Sequence, residues 1–180
     1  DIGIMVDANC PWTIEEANRM ALAFMNLDIL WLEEPIFPPE DFRALARLRH
    51  ETGVAIATGE NACTAFQFKQ MIDTNAANYV QPSVTKVGGI TEFQKIATLA
   101  ETGGVSLMPH APYFGPGFLA TLHLMAAIPN SGLAEWFYLE REACLYGGAI
   151  APENGGFKVP DGPGLGIDPD PEVIKDYTVD

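Results

Sequence analysis

Six polar residues recur along the chain at near-constant spacing, each at or near the end of a short apolar run: Asp7, Glu33, Glu60, Ser83, His110 and Glu135. The steps between them are 26, 27, 23, 27 and 25 residues. That is the length of one strand plus one helix, so a parallel sheet with helical crossovers would bring all six to the same rim. In an eight-stranded parallel barrel that rim carries the chemistry. The spacing predicts an α/β fold of the (β/α) TIM-type barrel kind, with a polar site built from consecutive strand ends.

The apolar runs predict six strands, near residues 2–7, 29–33, 54–59, 78–82, 105–109 and 133–137. Eight strand–helix units need more chain than this, so two further units are expected before Asp1, and the sequence reads as the C-terminal part of a longer protein. Helical signals lie between the strands. Thr13 and Glu16 make a capping box ahead of Ala17, Met20, Ala21, Phe24 and Met25, which share one helical face. Phe42, Leu45 and Leu48 follow Pro38-Pro39 and Asp41, and a third helix starts at Thr64. A fourth runs from Gly88-Gly89 to Gly103-Gly104, and a fifth from about Phe118 to Ala127, before Pro129. Residues 1–145 are thus expected to form the partial barrel. Residues 146–180 are Gly- and Pro-rich and should be turns and short extended pieces that pack back, toward a region outside the sequence.

A formal charge of −14, from 24 acidic and 10 basic residues, argues against nucleic acid and anionic membrane as partners. No apolar run approaches the roughly 20 residues of a membrane span. Cys10, Cys63 and Cys144 are odd in number and widely spaced, matching neither a disulfide framework nor a zinc pattern. A reducing cytoplasm is the expected location. Cys10 and Cys63 could line the rim, although packing is the simpler role.

Asp7, Glu33 and Glu60 are the first three rim residues, in GIMVDAN, ILWLEEP and VAIATGEN. Three carboxylates converging on one rim disfavour one another's ionisation unless a cation lies between them. Oxygen-only donors suit Mg²⁺ better than zinc or copper. The plain alternative is that each acid caps the following helix or sits in solvent.

At this point the chain resembles the enolase superfamily, and within it the mandelate racemase and muconate lactonizing enzymes. The likeness runs from VDAN through WLEEP, ATGEN and KVGG to MPH, AEW and PDGPGLG. It implies a barrel completed by an N-terminal capping domain, with Asp7, Glu33 and Glu60 as ligands of Mg²⁺. Glu33 rather than Glu34 matches the ligand position, and strand alternation would turn the two apart. The resemblance also implies abstraction of a proton α to a carboxylate, with an enediolate intermediate stabilised by the metal. Racemisation, dehydration and cycloisomerisation all branch from that step.

The second half of the rim departs from the family pattern. Where relatives carry an Asp or a Lys, QPSVTKVGG has Ser83. His110, in LMPHAP, matches the family's catalytic His and gains no carboxylate from Ser83, whose hydroxyl can orient an imidazole but not stabilise imidazolium by charge. Another acid would have to reach it. Glu135 matches a Glu that would donate a hydrogen bond to the substrate carboxylate when protonated; it could instead pair with an Arg. Asn9, Asn61 and Ser83 are candidate substrate contacts, the amides binding oxygens without adding charge; either Asn could instead serve a turn. Lys86 lies past the base position and reads as a loop residue, and His50 and His123 fall in helices.

The function expected is Mg²⁺-dependent dehydration of a sugar acid or related hydroxy acid, in a homo-oligomer. A racemase, epimerase or cycloisomerase is the alternative within the enzyme class. A metal-binding barrel without turnover is the alternative outside it.

Overall fold

Thr13, Asp41 and Thr64 each start a helix by accepting the N–H three residues on, from Glu16, Ala44 and Gln67. This satisfies one of the donors that a helix start leaves free. At Thr13 the box is closed by Glu16, whose carboxylate accepts the Thr13 N–H at 2.9 Å. The computed structural model describes residues 2–179. Its helices are α1 (Ile14–Phe24), α2 (Phe42–Thr52), α3 (Ala65–Asp73), α4 (Ile90–Thr102), α5 (Pro116–Ala127) and α6 (Pro171–Tyr177). Gly53 ends α2 in the left-handed region, φ +72°, where a side chain would be strained.

Between them run β1 (Ile4–Asp7), β2 (Ile29–Glu33), β3 (Ile56–Thr58), β4 (Tyr79–Val80) and β5 (Ser106–Leu107), which pair in chain order as one parallel sheet. Register aligns the strand ends: Asp7 lies beside Glu33, Glu33 beside Ala57, Thr58 beside Val80, and Val80 beside Leu107. Leu32, Ile56, Val80 and Leu107 point away from the site and are buried under Leu45 and Leu48 of α2, Phe68 and Met71 of α3, and Phe93 and Ile96 of α4. Burying a side chain of this size contributes about 1.5–3 kcal/mol each, and this core keeps the strand ends in line.

The sixth strand expected at 133–137 is absent among the described residues. The chain meets the sheet earlier, through a single parallel bridge between Leu107 and Ser131. Gly132 donates to the Leu107 carbonyl at 2.9 Å, at a spot where a Cβ would strike Met108. The chain then leaves the sheet, and Trp136 packs among Phe114, Phe118 and Phe157, with ring centroids 5.1–5.6 Å apart within this group. Aromatic packing of this quality outweighs a few more ladder bonds.

Within this chain the Gly- and Pro-rich segment packs against α5. Tyr146, Ile150, Phe157 and Leu165 cover Phe118, Leu119 and Leu122, and Leu165 accepts a hydrogen-bond contact from His123 at 3.1 Å. Sequence reading missed α6, whose Asp170 cap and Pro171 first position lie inside a stretch dominated by turn residues. No helix among the described residues is long and apolar enough to cross a membrane.

Candidate active site

Asp7 and Glu33 end adjacent strands, so their carboxylates are neighbours by register alone. The Asp7 carboxyl accepts the Asn9 N–H at 2.8 Å. Partial desolvation raises its pKa and the Glu60 charge adds to the rise, while the Asn9 bond opposes it. Glu33 accepts the indole N–H of Trp31 at 3.0 Å. Its pKa is also raised, first by burial and then by Asp7 and Glu135, against hydrogen bonds from Gln81 and Trp31.

Glu34 is turned the other way and is buried, with a left-handed φ of +39°. Its Oε1 accepts from the Thr58 hydroxyl and the Gly59 N–H, each at 2.9 Å, and its Oε2 accepts from the Cys10 thiol at 3.2 Å. This carboxylate ties β2 to β3 and to the loop after β1. Alternation thus separates the two acids of WLEEP as the sequence suggests. Burial pushes the Cys10 thiol up to about 12, with Glu34 adding to the rise.

Glu60 lies two residues past β3 and meets an imidazole and an ammonium. Its Oε2 is 3.0 Å from His110 Nε2, and its Oε1 is 3.7 Å from Lys86 Nζ. The His110 contact is the main reason that its pKa is lowered. The acid that His110 lacks at Ser83 is therefore supplied from across the site. His110 is mostly buried, its Nδ1 has no hydrogen-bond partner among the described residues, and its ring stands edge-on to Tyr113 at 6.0 Å.

Ser83 is fully buried, and its hydroxyl is bonded to Thr85 at 3.0 Å and to the Tyr113 hydroxyl. No hydrogen bond among the described residues joins it to His110. Glu135 accepts the Ala111 N–H at 2.8 Å, and burial raises its pKa against that bond and the pull of His110. Among the described residues no Arg pairs with it: Arg141 lies over the Phe114 ring at 3.9 Å and donates to Cys144. Asn9 is exposed with φ +56°, in keeping with a turn, and Asn61 is exposed with its amide 3.4 Å from Glu60.

The structure adds Gln81, Trp31, Lys86 and Tyr113 to the residues picked from the sequence. A cavity of about 350 Å³ is lined by Asp7, Glu33, Gln81 and Glu135, with Trp31 and Trp136 as its apolar walls. Trp31 had a legible signal, since a residue two before Glu33 on a strand shares its face. Among the described residues, no three Asp, Glu, His or Cys side chains are gathered tightly enough to hold a metal as they stand.

A parallel sheet with Asp7, Glu33 and Glu135 around one cavity, and Glu60 paired with His110 on the same rim, defines the C-terminal part of a TIM-type barrel with a polar rim. Residues 1–173 match the model of the enolase C-terminal domain-like family, and the chain belongs to that family, in its mandelate racemase and muconate lactonizing group. It is 36% identical to an arabinonate dehydratase of Saccharolobus solfataricus, over 98% of this chain and 48% of that enzyme. It is 34% identical to a 3,6-anhydro-alpha-L-galactonate cycloisomerase of Streptomyces coelicolor, over 91% of this chain and 44% of that enzyme. An L-talarate dehydratase of Polaromonas sp. JS666, solved in complex with Mg and L-glucarate, superposes with a TM-score of 0.83 at 35% identity, over 99% of this chain and 48% of that one. The chain spans about half the length of the curated relatives it matches.

Proposed function

We propose that the full-length protein is a Mg²⁺-dependent enzyme that removes the proton α to a carboxylate, and that it dehydrates a sugar acid or related hydroxy acid. The observation carrying this reading is the placing of Asp7, Glu33 and Glu60 at three neighbouring strand ends, on one rim with His110 and Glu135. The donor set suits a hard cation, because it is made of carboxylates alone, two of which, Asp7 and Glu33, have pKa values raised first by burial and further by neighbouring acids. Glu60 is engaged by His110 and Lys86, so an ion would compete with both for it. Bound to these acids, Mg²⁺ would supply positive charge to the substrate carboxylate.

The remaining roles fall to the protein's own groups. Glu135, with its raised pKa, holds a proton more readily than a free Glu and can donate a hydrogen bond to the substrate carboxylate. Asn9 and Asn61 offer neutral amides to substrate oxygens at the open side of the rim. Ser83, committed to Thr85 and Tyr113, supports the wall beside His110. In dehydration the Cα–H bond breaks with its proton passing to a base, and the β-hydroxyl leaves as water with a proton from an acid. His110, poised on Glu60, is assigned the second transfer.

The likeness to a cycloisomerase favours one second reading. There the group leaving from the β-carbon is a ring oxygen instead of a hydroxyl, with the same first step.

The test is the full-length protein with Mg²⁺ and a panel of sugar acids. A 2-keto-3-deoxy product is expected, and His110→Asn should lower turnover by roughly 100-fold or more with Mg²⁺ binding retained. Exchange of the α-hydrogen in D₂O without net product would move the reading to a racemase or epimerase. Mg²⁺ binding with neither product nor exchange, for any acid, would leave the metal-binding barrel without turnover.

A further inference from the structure

Gln81 stands one residue past β4 and is 4% exposed. Its backbone N–H donates to the Thr58 carbonyl at 3.0 Å, which fixes its place in the sheet. Its side-chain amide lies beside the Glu33 carboxylate and lowers the pKa of that acid. A carboxylate only accepts, so the NH₂ end must face Glu33, and the carbonyl end points elsewhere. That carbonyl, Oε1, is buried without a partner among the described residues, and Gln81 lines the cavity that Asp7, Glu33 and Glu135 share.

A buried amide carbonyl is strongly disfavoured without a donor. Asp7 and Glu33 have no donor to give once ionised, the proton of Glu135 is assigned to the substrate carboxylate, and of the cavity walls Trp31 and Trp136 the Trp31 indole N–H is already spent on Glu33. In the full-length protein the donor comes either from strands that complete the barrel or from a molecule bound in the cavity, and the acids lining that cavity favour the second. A substrate carboxylate cannot supply it, because two acceptors would then face each other. A neutral hydroxyl can.

We propose that Gln81 is a specificity-determining residue whose Oε1 accepts a hydrogen bond from a hydroxyl of the bound substrate. The proposal rests on the sugar-acid reading above and refines it: the substrate's carboxylate lies away from Gln81, and a carbon bearing a hydroxyl lies against it.

The test uses the full-length protein loaded with Mg²⁺, titrated calorimetrically with C5 and C6 aldonates and with 2-hydroxyhexanoate, which lacks the further hydroxyls. Gln81→Met, of similar shape, should weaken the tightest aldonate about tenfold. Mg²⁺ affinity and 2-hydroxyhexanoate binding should change by no more than about threefold. A crystal structure of the wild-type aldonate complex should have a ligand hydroxyl within about 3.2 Å of Oε1. Equal weakening of both acids, which would mean that Gln81 acts only through Glu33, overturns the proposal. So does a protein donor found at Oε1, or no loss in Gln81→Met. Failure of the wild type to bind any acid would overturn the sugar-acid reading itself, and Gln81's role with it.

Discussion

The two halves of the rim solve opposite electrostatic problems. From β1 to β3 the strand ends carry Asp7, Glu33, Glu34 and Glu60, more negative charge than the local donors neutralise. From β4 onward they carry Gln81, Ser83 and His110, with Glu135 beyond. In the acid half, Asp7 and Glu33 have pKa values raised by desolvation and by other acids. In the other half, the hydroxyls of Ser83, Thr85 and Tyr113 satisfy one another, and the imidazole reaches across to Glu60. The difference teaches that Glu60 is the hinge between the halves: the one rim acid whose pKa is lowered owes it mainly to a residue of the other half.

The largest effect should separate adjacent acids in the crowded half. In the full-length protein, Glu33→Gln or Asp7→Asn should weaken Mg²⁺ binding by roughly 100-fold or more, as read by calorimetry. Glu34→Ala should leave Mg²⁺ affinity within a fewfold but lower folding stability by about 3–5 kcal/mol, because Thr58, Gly59 and Cys10 lose their shared acceptor. Denaturant melts check the second outcome. Equal metal losses at Glu33 and Glu34 would erase the distinction between a site acid and a scaffold acid.

Next in size is the pH dependence of the metal-free protein. Glu60 has a folded pKa below its unfolded value, so its contribution to stability is present above the unfolded value and is lost as pH falls through the folded one. Glu33 has a raised folded pKa, so its charged form costs stability above that pKa, and the cost disappears as pH falls toward the unfolded value. Melting temperatures followed from neutral to acid pH should therefore fall less in Glu60→Gln than in the wild type. Glu33→Gln should melt higher than the wild type at neutral pH and converge with it in acid. The reverse order would break the contrast between the two acids.

The smallest effect belongs to Lys86, which is partly exposed and 3.7 Å from Glu60. A pair of this kind is worth up to about 1 kcal/mol. Lys86→Met removes a competing cation, so Mg²⁺ affinity in the full-length protein should rise by up to about fivefold in the same titration. A fall would make Lys86 a supporter of the metal site.

What could be read from the chain follows the same division. Strand–helix period and helix starts are local properties, so Thr13, Asp41, Thr64 and Gly89 marked their helices, and the first five rim residues stand at or within three residues of strand ends. The last strand was misjudged because AEW looks like a strand end, yet Trp136 is drawn to Phe114, Phe118 and Phe157, partners that local pattern does not reveal. In the acid half, repulsion alone argues for a cation, and the alternation of Glu33 and Glu34 was legible for that reason. In the other half, partnerships depend on which side chain reaches which. Glu60 serving His110, Lys86 approaching Glu60, and Tyr113 engaging Ser83 are contacts between residues 26 to 50 positions apart. Gln81 reads in sequence as an ordinary polar residue after a strand, and only its buried, unpartnered carbonyl gives it away.

The thiol that Cys10 offers to Glu34 has a practical consequence for anyone wishing to attach a probe. With its pKa pushed up to about 12, Cys10 holds almost no thiolate at neutral pH and should be passed over by maleimide. Cys63 is exposed, three residues beyond Glu60. A single dye can thus be carried beside the rim without removing any native cysteine there, and its emission would report ion and ligand arrival directly.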